Sequence, residues 1–207
     1  MTTLDHTDVE AFDRCISTGG LALFGADTVY GLATEPHSNE GVRRLYELKR
    51  RPPARPAAVM FFVLERALDA LPELGPRTRG AFERLLPGPL TAIVANPARR
   101  FPLACGPEPE RLGVRVPALP EALAALEAVD WAILQSSANR SGGPDARRID
   151  AVDPAIRAGV DVELDAGELP GTASTVVDLS RYDDDGTFLV MREGALPVSE
   201  LEERLAG

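Results

Sequence analysis

Short apolar runs recur along the whole chain, and they limit the possible fold more than any other feature of the sequence. The first run, residues 21–24, is continuously apolar, which is typical of a strand buried on both faces. Similar runs with turn residues at their ends are residues 57–64, 90–95, 112–116, 132–135, 162–164, 175–179 and 188–191. These are more strands than a simple strand–helix alternation would give. We therefore predict an α/β fold in which helices flank a twisted, mixed β-sheet.

Amphipathic segments lie between the predicted strands. Residues 8–18 place apolar side chains on one side of a helix, and Gly19 follows as a stop signal. Ser38 is placed to cap a second helix over residues 40–48. The other helix candidates are residues 77–86, 121–127, 152–157 and 199–205. Because no repeat or low-complexity linker interrupts this pattern, we predict one domain over residues 1–207.

The composition is typical of a globular protein, with 44% hydrophobic and 26% charged residues. No apolar run approaches the roughly 18 residues that a transmembrane helix needs. The N-terminus lacks the basic and apolar regions of a secretory signal. Cys15 and Cys105 are isolated in the sequence, which fits a reducing compartment. We therefore expect a cytoplasmic location and no membrane partner.

Charge is unevenly distributed along the chain. The net charge of −10 disfavours a broad nucleic-acid footprint, which needs many cationic contacts. One segment is nevertheless basic; it contains Arg43, Arg44, Lys49, Arg50, Arg51 and Arg55. Lys49 is the only lysine in the chain. One explanation is that its ammonium is required at a phosphate, where arginine is not equivalent. The other is that this lysine has no special role and remained by drift.

Polar residues follow several predicted strands, where α/β sheets usually place ligand sites. They are residues 27–31, residues 136–139, Ser174 with Thr175, and Arg192. The structural alternative for each is a turn or a cap. Lys49 and Arg51 leave a predicted helix two residues apart. They can converge on one anion if the backbone there is extended, or they can complement the helix dipole.

The sequence lacks the common catalytic motifs. It contains no GxxxxGK[ST] phosphate loop, no GxGxxG fingerprint and no GxSxG nucleophile elbow. His6 and His37 are the only histidines, and their spacing fits neither a zinc site nor a catalytic triad. An enzyme with this sequence would act mainly by positioning charged groups around its substrate.

Seven segments, in this order, resemble the YrdC-like threonylcarbamoyl-AMP synthase family. They are residues 27–32 (DTVYGL), 49–52 (KRRP), 86–91 (LPGPLT), 113–117 (GVRVP), 137–139 (SAN), 174–178 (STVVD) and 192–194 (REG). The similarity extends from about residue 8 to residue 205. The resemblance implies a twisted open sheet with a positively charged concave face. It also implies synthesis of threonylcarbamoyl-AMP from threonine, bicarbonate and ATP, with release of pyrophosphate, for N6-threonylcarbamoyladenosine in tRNA.

The resemblance also implies roles for individual residues. Lys49 and Arg51 would hold the phosphates as the catalytic pair. The ATP site would be completed by Arg55, Asn139 and Arg192. The threonine or carbamate pocket would be formed by Thr28, Arg115, Ser137 and Ser174. Mg²⁺ would accompany ATP, no protein metal site is expected, and a threonylcarbamoyl transferase complex would take the product.

The sequence departs from the family pattern at several positions, three of which introduce arginine near the expected nucleotide. These are Arg55, Arg111 and Arg147. Two alternatives to the synthase hypothesis therefore stay open. One is a paralogue that handles carbamoyl phosphate, and the other is a non-catalytic protein that binds nucleotides or double-stranded RNA.

Overall fold

The computed structural model describes residues 3–206, and its centre is one mixed β-sheet. The strands are β1 (Ala22–Gly25), β2 (Tyr30–Thr34), β3 (Ala58–Met60), β4 (Leu90–Ala95), β5 (Arg111–Arg115), β6 (Ile133–Ser137), β7 (Val162–Glu163), β8 (Thr175–Asp178) and β9 (Leu189–Arg192). Their order across the sheet is β7-β1-β2-β6-β3-β5-β4-β8-β9. The β1–β7, β3–β5 and β4–β8 pairs are parallel and the other pairs are antiparallel. The predicted α/β class with a mixed sheet is confirmed.

Helices flank this sheet. They are α1 (His6–Ser17), α2 (Asn39–Leu48), α3 (Leu64–Ala70), α4 (Pro76–Leu85), α5 (Pro102–Cys105), α6 (Pro154–Arg157), α7 (Tyr182–Asp185) and α8 (Val198–Ala206), with 3₁₀ turns at Glu121–Ala128 and Ile149–Ala151. Ser38 caps α2 as predicted, because its hydroxyl accepts the Gly41 N–H at 3.0 Å. No helix within residues 3–206 is long and apolar enough to span a membrane.

The core between α1 and the sheet is aromatic. Phe12 of α1 meets Phe24 of β1 edge-to-face at 5.4 Å, and both rings contact Phe62 at 6.1 and 6.2 Å. Edge-to-face contacts of this kind add about 0.5–1.5 kcal/mol each beyond the burial of their area. The helix that carries Phe12 is ended at Thr18–Gly19, where Gly19 adopts a φ of +76°. The predicted first helix is thus confirmed in place and in its inward face.

Three local predictions were wrong in their boundaries. Residues 27–31 were predicted as a polar segment after a strand and no strand was predicted beyond them, yet Tyr30–Thr34 form β2, which is fully buried between β1 and β6. The predicted strand 57–64 ends at Met60, and helix α3 starts at Leu64. Short apolar runs of this kind suit a buried strand and a buried helix turn equally, so only tertiary pairing separates them. Ser136 and Ser137 were expected after a strand, and they lie within β6 instead.

Candidate active site

One cavity of about 370 Å³ lies against the central strands, and four arginines line it: Arg51, Arg111, Arg115 and Arg192. We call it the arginine cavity. Hydroxyl and amide side chains share its wall; they are Thr91, Gln135, Ser136, Ser137 and Ser174. Two carboxylates, Glu108 and Asp145, also face it. A cluster of cations beside hydroxyl groups is suited to an anionic ligand such as a carboxylate or a phosphate.

Five of the nine site residues predicted from the sequence line the arginine cavity. They are Arg51, Arg115, Ser137, Ser174 and Arg192. The other four are Thr28, Lys49, Arg55 and Asn139, and they lie beside or behind this lining. Arg55 is exposed, with its guanidinium 3.4 Å from the Ser141 hydroxyl. The predicted site residues therefore fall into two sets: five line the cavity, and four lie outside its lining.

Arg115, the last residue of β5, is 4% exposed and is held by Asp27 and Thr28. Its Nη2 donates to Asp27 Oδ1 at 2.5 Å and to Thr28 Oγ1 at 2.5 Å. The other Asp27 oxygen accepts the Ala118 N–H at 3.1 Å, so this carboxylate is fixed from two sides. Within the described part of the chain, Nε and Nη1 of Arg115 have no acceptor. Part of a rigid guanidinium fork is thus left for a ligand.

Lys49 is buried behind the cavity, with only 1% of the residue exposed. Its ammonium donates to the Ser137 carbonyl, to the Asn139 carbonyl at 2.8 Å and to Asn139 Oδ1 at 3.1 Å. The Asn139 amide donates in turn to the Gly143 carbonyl at 2.6 Å. In this arrangement the single lysine holds the loop after β6 in place. Burial, and secondly the charge of Arg51, lower the Lys49 pKa to about 8, while Asp145 acts in the opposite direction.

The lowered pKa of Lys49 can be tested by NMR. Because Lys49 is the only lysine, its signal needs no resonance assignment. In protein labelled with ¹³C-lysine, we expect the single Cε resonance to titrate near pH 8 rather than near 10.5. Because the folded pKa is the lower one, the unfolded chain binds more protons between these values, and stability should rise with pH from about 8 to 10.5. The urea-unfolded protein, titrating near 10.5, is the control. A folded-state midpoint near 10.5 would contradict the enclosed position of the ammonium.

Arg51 faces the cavity while Lys49 does not, because the backbone turns between them. Helix α2 ends in a Schellman motif, in which Arg50 has a φ of +50°. The Arg50 N–H donates to the Glu47 carbonyl at 2.9 Å, and the Arg51 N–H to the Tyr46 carbonyl at 2.8 Å. The segment is therefore not extended, and the geometric condition for Lys49 and Arg51 to converge on one anion is not met in this structure. The Arg51 guanidinium lies 5.7 Å from the centroid of the Tyr46 ring.

The opposite wall is formed by the start of β8 and the end of β9. The Ser174 hydroxyl lies 2.9 Å from that of Thr91, and Arg192 Nη2 donates to the Ser174 carbonyl at 2.7 Å. Gly194 passes so close to this wall that a Cβ there would lie 2.2 Å from the Ala173 carbonyl oxygen. The glycine two residues after Arg192 is thus required by a close backbone approach.

Sequence reasoning missed part of the cavity wall. Arg111 was noted as a departure from the family pattern, but it was not assigned to the site. Its Nη1 donates to Glu108 at 2.7 Å, its Nη2 contacts Asp178, and its Nε is buried without an acceptor among the described residues. Of the three introduced arginines, Arg111 lines the cavity, whereas Arg55 and Arg147 do not. Arg147 pairs instead with Glu168 at 2.6 Å. No local sequence signal marks Glu108, whereas Thr91 lies within a family motif.

The side chains of the described residues do not form a metal site by themselves. Within residues 3–206, no group of three or more histidine, cysteine, aspartate or glutamate side chains is arranged to hold a metal ion. Both cysteines, Cys15 and Cys105, are buried free thiols. Burial raises the pKa of each thiol, the Cys15 pKa to about 11, so neither is an activated nucleophile.

Comparison with known proteins agrees with this architecture. The Sua5/YciO/YrdC family model, described as "Telomere recombination", matches residues 14–194. A threonylcarbamoyl-AMP synthase of Xanthomonas campestris is 33% identical over 174 residues, which cover 82% of this chain and 91% of that protein. A threonylcarbamoyl-AMP synthase of Pyrococcus abyssi is 29% identical over 189 residues, which cover 91% of this chain. The chain spans only about half of that longer relative, 54%.

Solved structures give the same result. Sua5 of P. abyssi, in a complex with L-threonine, matches with a TM-score of 0.84 and 27% identity, covering 97% of this chain and 58% of that one. YciO of Escherichia coli matches with a TM-score of 0.81 over 97% of this chain and 95% of its own, and at 22% identity it supports the fold alone. The resemblance predicted from the seven motifs is confirmed, and the chain belongs to the Sua5/YciO/YrdC family.

Proposed function

We propose that this chain is an enzyme that forms threonylcarbamoyl-AMP from threonine, bicarbonate and ATP, with release of pyrophosphate. Its relatives in X. campestris and P. abyssi carry the name of this activity, and the related Sua5 structure contains L-threonine. The observation that carries the proposal is the arginine cavity, where the buried Arg115 offers unused donors beside Ser137 and Ser174.

Arg115 and its neighbours suit the amino-acid substrate. A substrate carboxylate would accept from the free part of the Arg115 guanidinium, which Asp27 and Thr28 already hold in position. Because this group is ordered before the substrate arrives, little conformational entropy is lost on binding. The Ser137 and Ser174 hydroxyls line the same cavity and provide neutral donors and acceptors for the hydroxyl of threonine or for its carbamate.

The nucleotide would bind beside the other cations. Arg51 and Arg192 line the cavity and would contact the phosphates, with Arg55 at the exposed rim. Asn139 and Lys49 belong to the same nucleotide site. In the structure described here they order the loop after β6, and a direct contact of Lys49 with phosphate requires its ammonium to leave the carbonyl groups that enclose it.

The reaction follows from these placements. The threonine amine and bicarbonate form a carbamate by way of CO₂, with loss of water. A carbamate oxygen then attacks the α-phosphorus of ATP, and pyrophosphate leaves. Negative charge on the phosphoryl oxygens grows in the transition state, and preorganised guanidinium groups stabilise it. Arg51 and Arg192 are the groups in the cavity suited to this role.

Mg²⁺ would enter with ATP as part of the substrate. Magnesium in nucleotide sites is usually bound by phosphates and one or two carboxylates. Asp145 is a carboxylate in the cavity wall, and its Oδ1 already accepts from the Asn139 amide at 3.2 Å. A single carboxylate beside the nucleotide site fits a magnesium ion that is bound mainly by the phosphates of ATP.

We further propose that the chain acts in the cytoplasm and that a threonylcarbamoyl transferase complex consumes the product.

The experiment is a pyrophosphate-release assay with purified protein. We expect release that requires ATP, threonine and bicarbonate together, with the product identified by mass spectrometry. Replacing threonine and bicarbonate by carbamoyl phosphate tests the paralogue alternative, because only that alternative predicts turnover there. Binding of double-stranded RNA at low salt without any turnover would favour the non-catalytic alternative. No turnover with threonine or with another amino acid would refute the synthase proposal.

A further inference from the structure

A second concave surface lies where β2 and β3 end and β6 begins. It has a volume of about 430 Å³, and we call it the aromatic groove because Phe61, Phe101, His37 and Trp131 line it. Phe61 follows the end of β3, His37 lies beyond the end of β2, and Trp131 precedes β6. These ends meet because β6 runs antiparallel to both neighbours. The two surfaces share no lining residue.

The aromatic rings of the groove are arranged against one another. His37 stacks on Phe101 with ring centroids 5.3 Å apart and planes inclined by 27°, and Phe101 meets Phe61 edge-to-face at 6.2 Å. The His37 side chain is exposed, and Phe61, beneath Phe101, is buried. Trp131 is half-buried, and its indole N–H donates to Asp13 at 2.8 Å. The π-faces of the phenylalanine and tryptophan rings attract cations.

The conformation of Phe101 is strained, and the fold maintains it. Its φ of 50° and ψ of 54° are left-handed, which is uncommon for a bulky residue that is not glycine. Asn96, 1% exposed, holds the turn before it: its amide donates to the Arg100 carbonyl at 3.0 Å and its Oδ1 accepts the Arg100 N–H at 2.9 Å. Strain that the surrounding structure enforces is concentrated at functional sites in proteins.

The rim of the groove is acidic. It carries three carboxylates, Glu35, Asp69 and Asp130, against one guanidinium, Arg66. Asp130 binds Arg66 at 2.8 Å, which neutralises that pair. Glu35 uses one oxygen to accept the His37 N–H at 2.9 Å, and Asp69 has no hydrogen-bonding or ion-pair partner in the described part of the chain. Two carboxylates, Glu35 and Asp69, therefore lie beside the aromatic rings without a cationic partner among the described residues.

We propose that the aromatic groove binds an arginine side chain presented by a partner protein. A guanidinium is planar and weakly hydrated, so it stacks on aromatic faces and pairs with a carboxylate at the same time. The groove offers both partners: the stack of the exposed His37 on the half-buried Phe101, and Asp69, which has no partner among the described residues. An RNA base would also stack on these rings, but its phosphates would be repelled by the acidic rim. The interaction would not depend on the chemistry proposed for the arginine cavity.

The chain contains its own probe, because Trp131 is the only tryptophan and lies in the groove. We expect its fluorescence to change saturably when an N-acetyl, C-amide Gly-Arg-Gly peptide is titrated into the full chain. The matched Gly-citrulline-Gly peptide, which keeps the shape and lacks the charge, should bind several-fold more weakly. D69N should weaken the arginine peptide about two- to fivefold, the scale of an exposed ion pair, and D184N, at a distant exposed aspartate, should not.

Several outcomes overturn the proposal. One is the absence of a saturable change with the arginine peptide up to tens of millimolar. Another is equal binding of the arginine and citrulline peptides, and a third is a response to adenosine monophosphate but not to the arginine peptide. D69N should leave pyrophosphate release unchanged, so failure at the groove and failure of the proposed synthase activity are separately detectable. Loss of arginine binding in F101L with unchanged folding, by circular dichroism, would support the aromatic contact.

Discussion

Replacing Arg115 with methionine is expected to lower the free energy of unfolding by about 3–5 kcal/mol and to abolish pyrophosphate release. The substitution leaves Asp27, whose side chain is 5% exposed, as a buried carboxylate without its cation. It also removes the guanidinium donors that the substrate carboxylate would use. Urea denaturation measures the first effect, and the pyrophosphate assay measures the second.

A matched double variant separates these two effects. In R115M/D27N the buried charge is absent, so we expect much of the lost stability to return, because an uncompensated charge is the main cost of breaking such a pair. Pyrophosphate release should stay absent in the same protein, since the guanidinium is still missing. Recovery of turnover in the double variant would show that Arg115 acts only through stability. An R115M variant as stable as the parent would contradict the buried ion pair.

Replacing Arg51 with glutamine is expected to lower kcat/KM for ATP roughly 30- to 1,000-fold, with little change in stability. This range corresponds to the about 2–4 kcal/mol of transition-state stabilisation that one preorganised electrostatic group provides. Arg51 lines the cavity, and among residues 3–206 its side chain donates only to the Pro56 carbonyl and stacks on Tyr46. Its loss therefore removes a positive charge from the nucleotide site without leaving a buried partner charge.

The neighbouring arginine supplies the control. Arg50 is exposed and does not line the cavity, so R50Q changes the net charge equally and should leave kcat/KM within about twofold. Equal losses in R50Q and R51Q would indicate a general electrostatic effect of the segment. Unchanged kinetics in R51Q would refute the assignment of Arg51 to the phosphates.

Much of the fold was predictable from the sequence because buried strands and helices leave a local pattern of apolar residues. Continuous apolar runs predicted β1, β4 and β8, and the 3.6-residue periodicity predicted α1. Strand β2 was missed because its residues begin inside a segment rich in turn-forming residues. Only pairing with β1 and β6 makes Tyr30–Thr34 a strand. Pairing partners distant in sequence carry no local signal.

The candidate site was predictable in part, for a similar reason. Five of the nine predicted residues line one cavity, since motif order identifies which strand ends carry polar groups. The separate position of Lys49 could not be predicted, because it depends on a left-handed Arg50 in a Schellman motif. The pairing of Arg111 with Glu108 and Asp178 could not be predicted either. Through Arg111 of β5, Glu108 and Asp178 are joined, although their segments are distant in sequence.

The sequence by itself determined the family, the α/β class and the chemistry available at the strand ends. Those properties depend on residue type and on order along the chain, and both can be read directly. The tertiary structure alone decided that Lys49 faces carbonyl groups while Arg51 faces the cavity. It also decided that Arg115 keeps donors free beyond Asp27 and that aromatic side chains meet where β2 and β3 end and β6 begins. Such properties depend on side-chain direction and burial, which arise only when distant segments pack together.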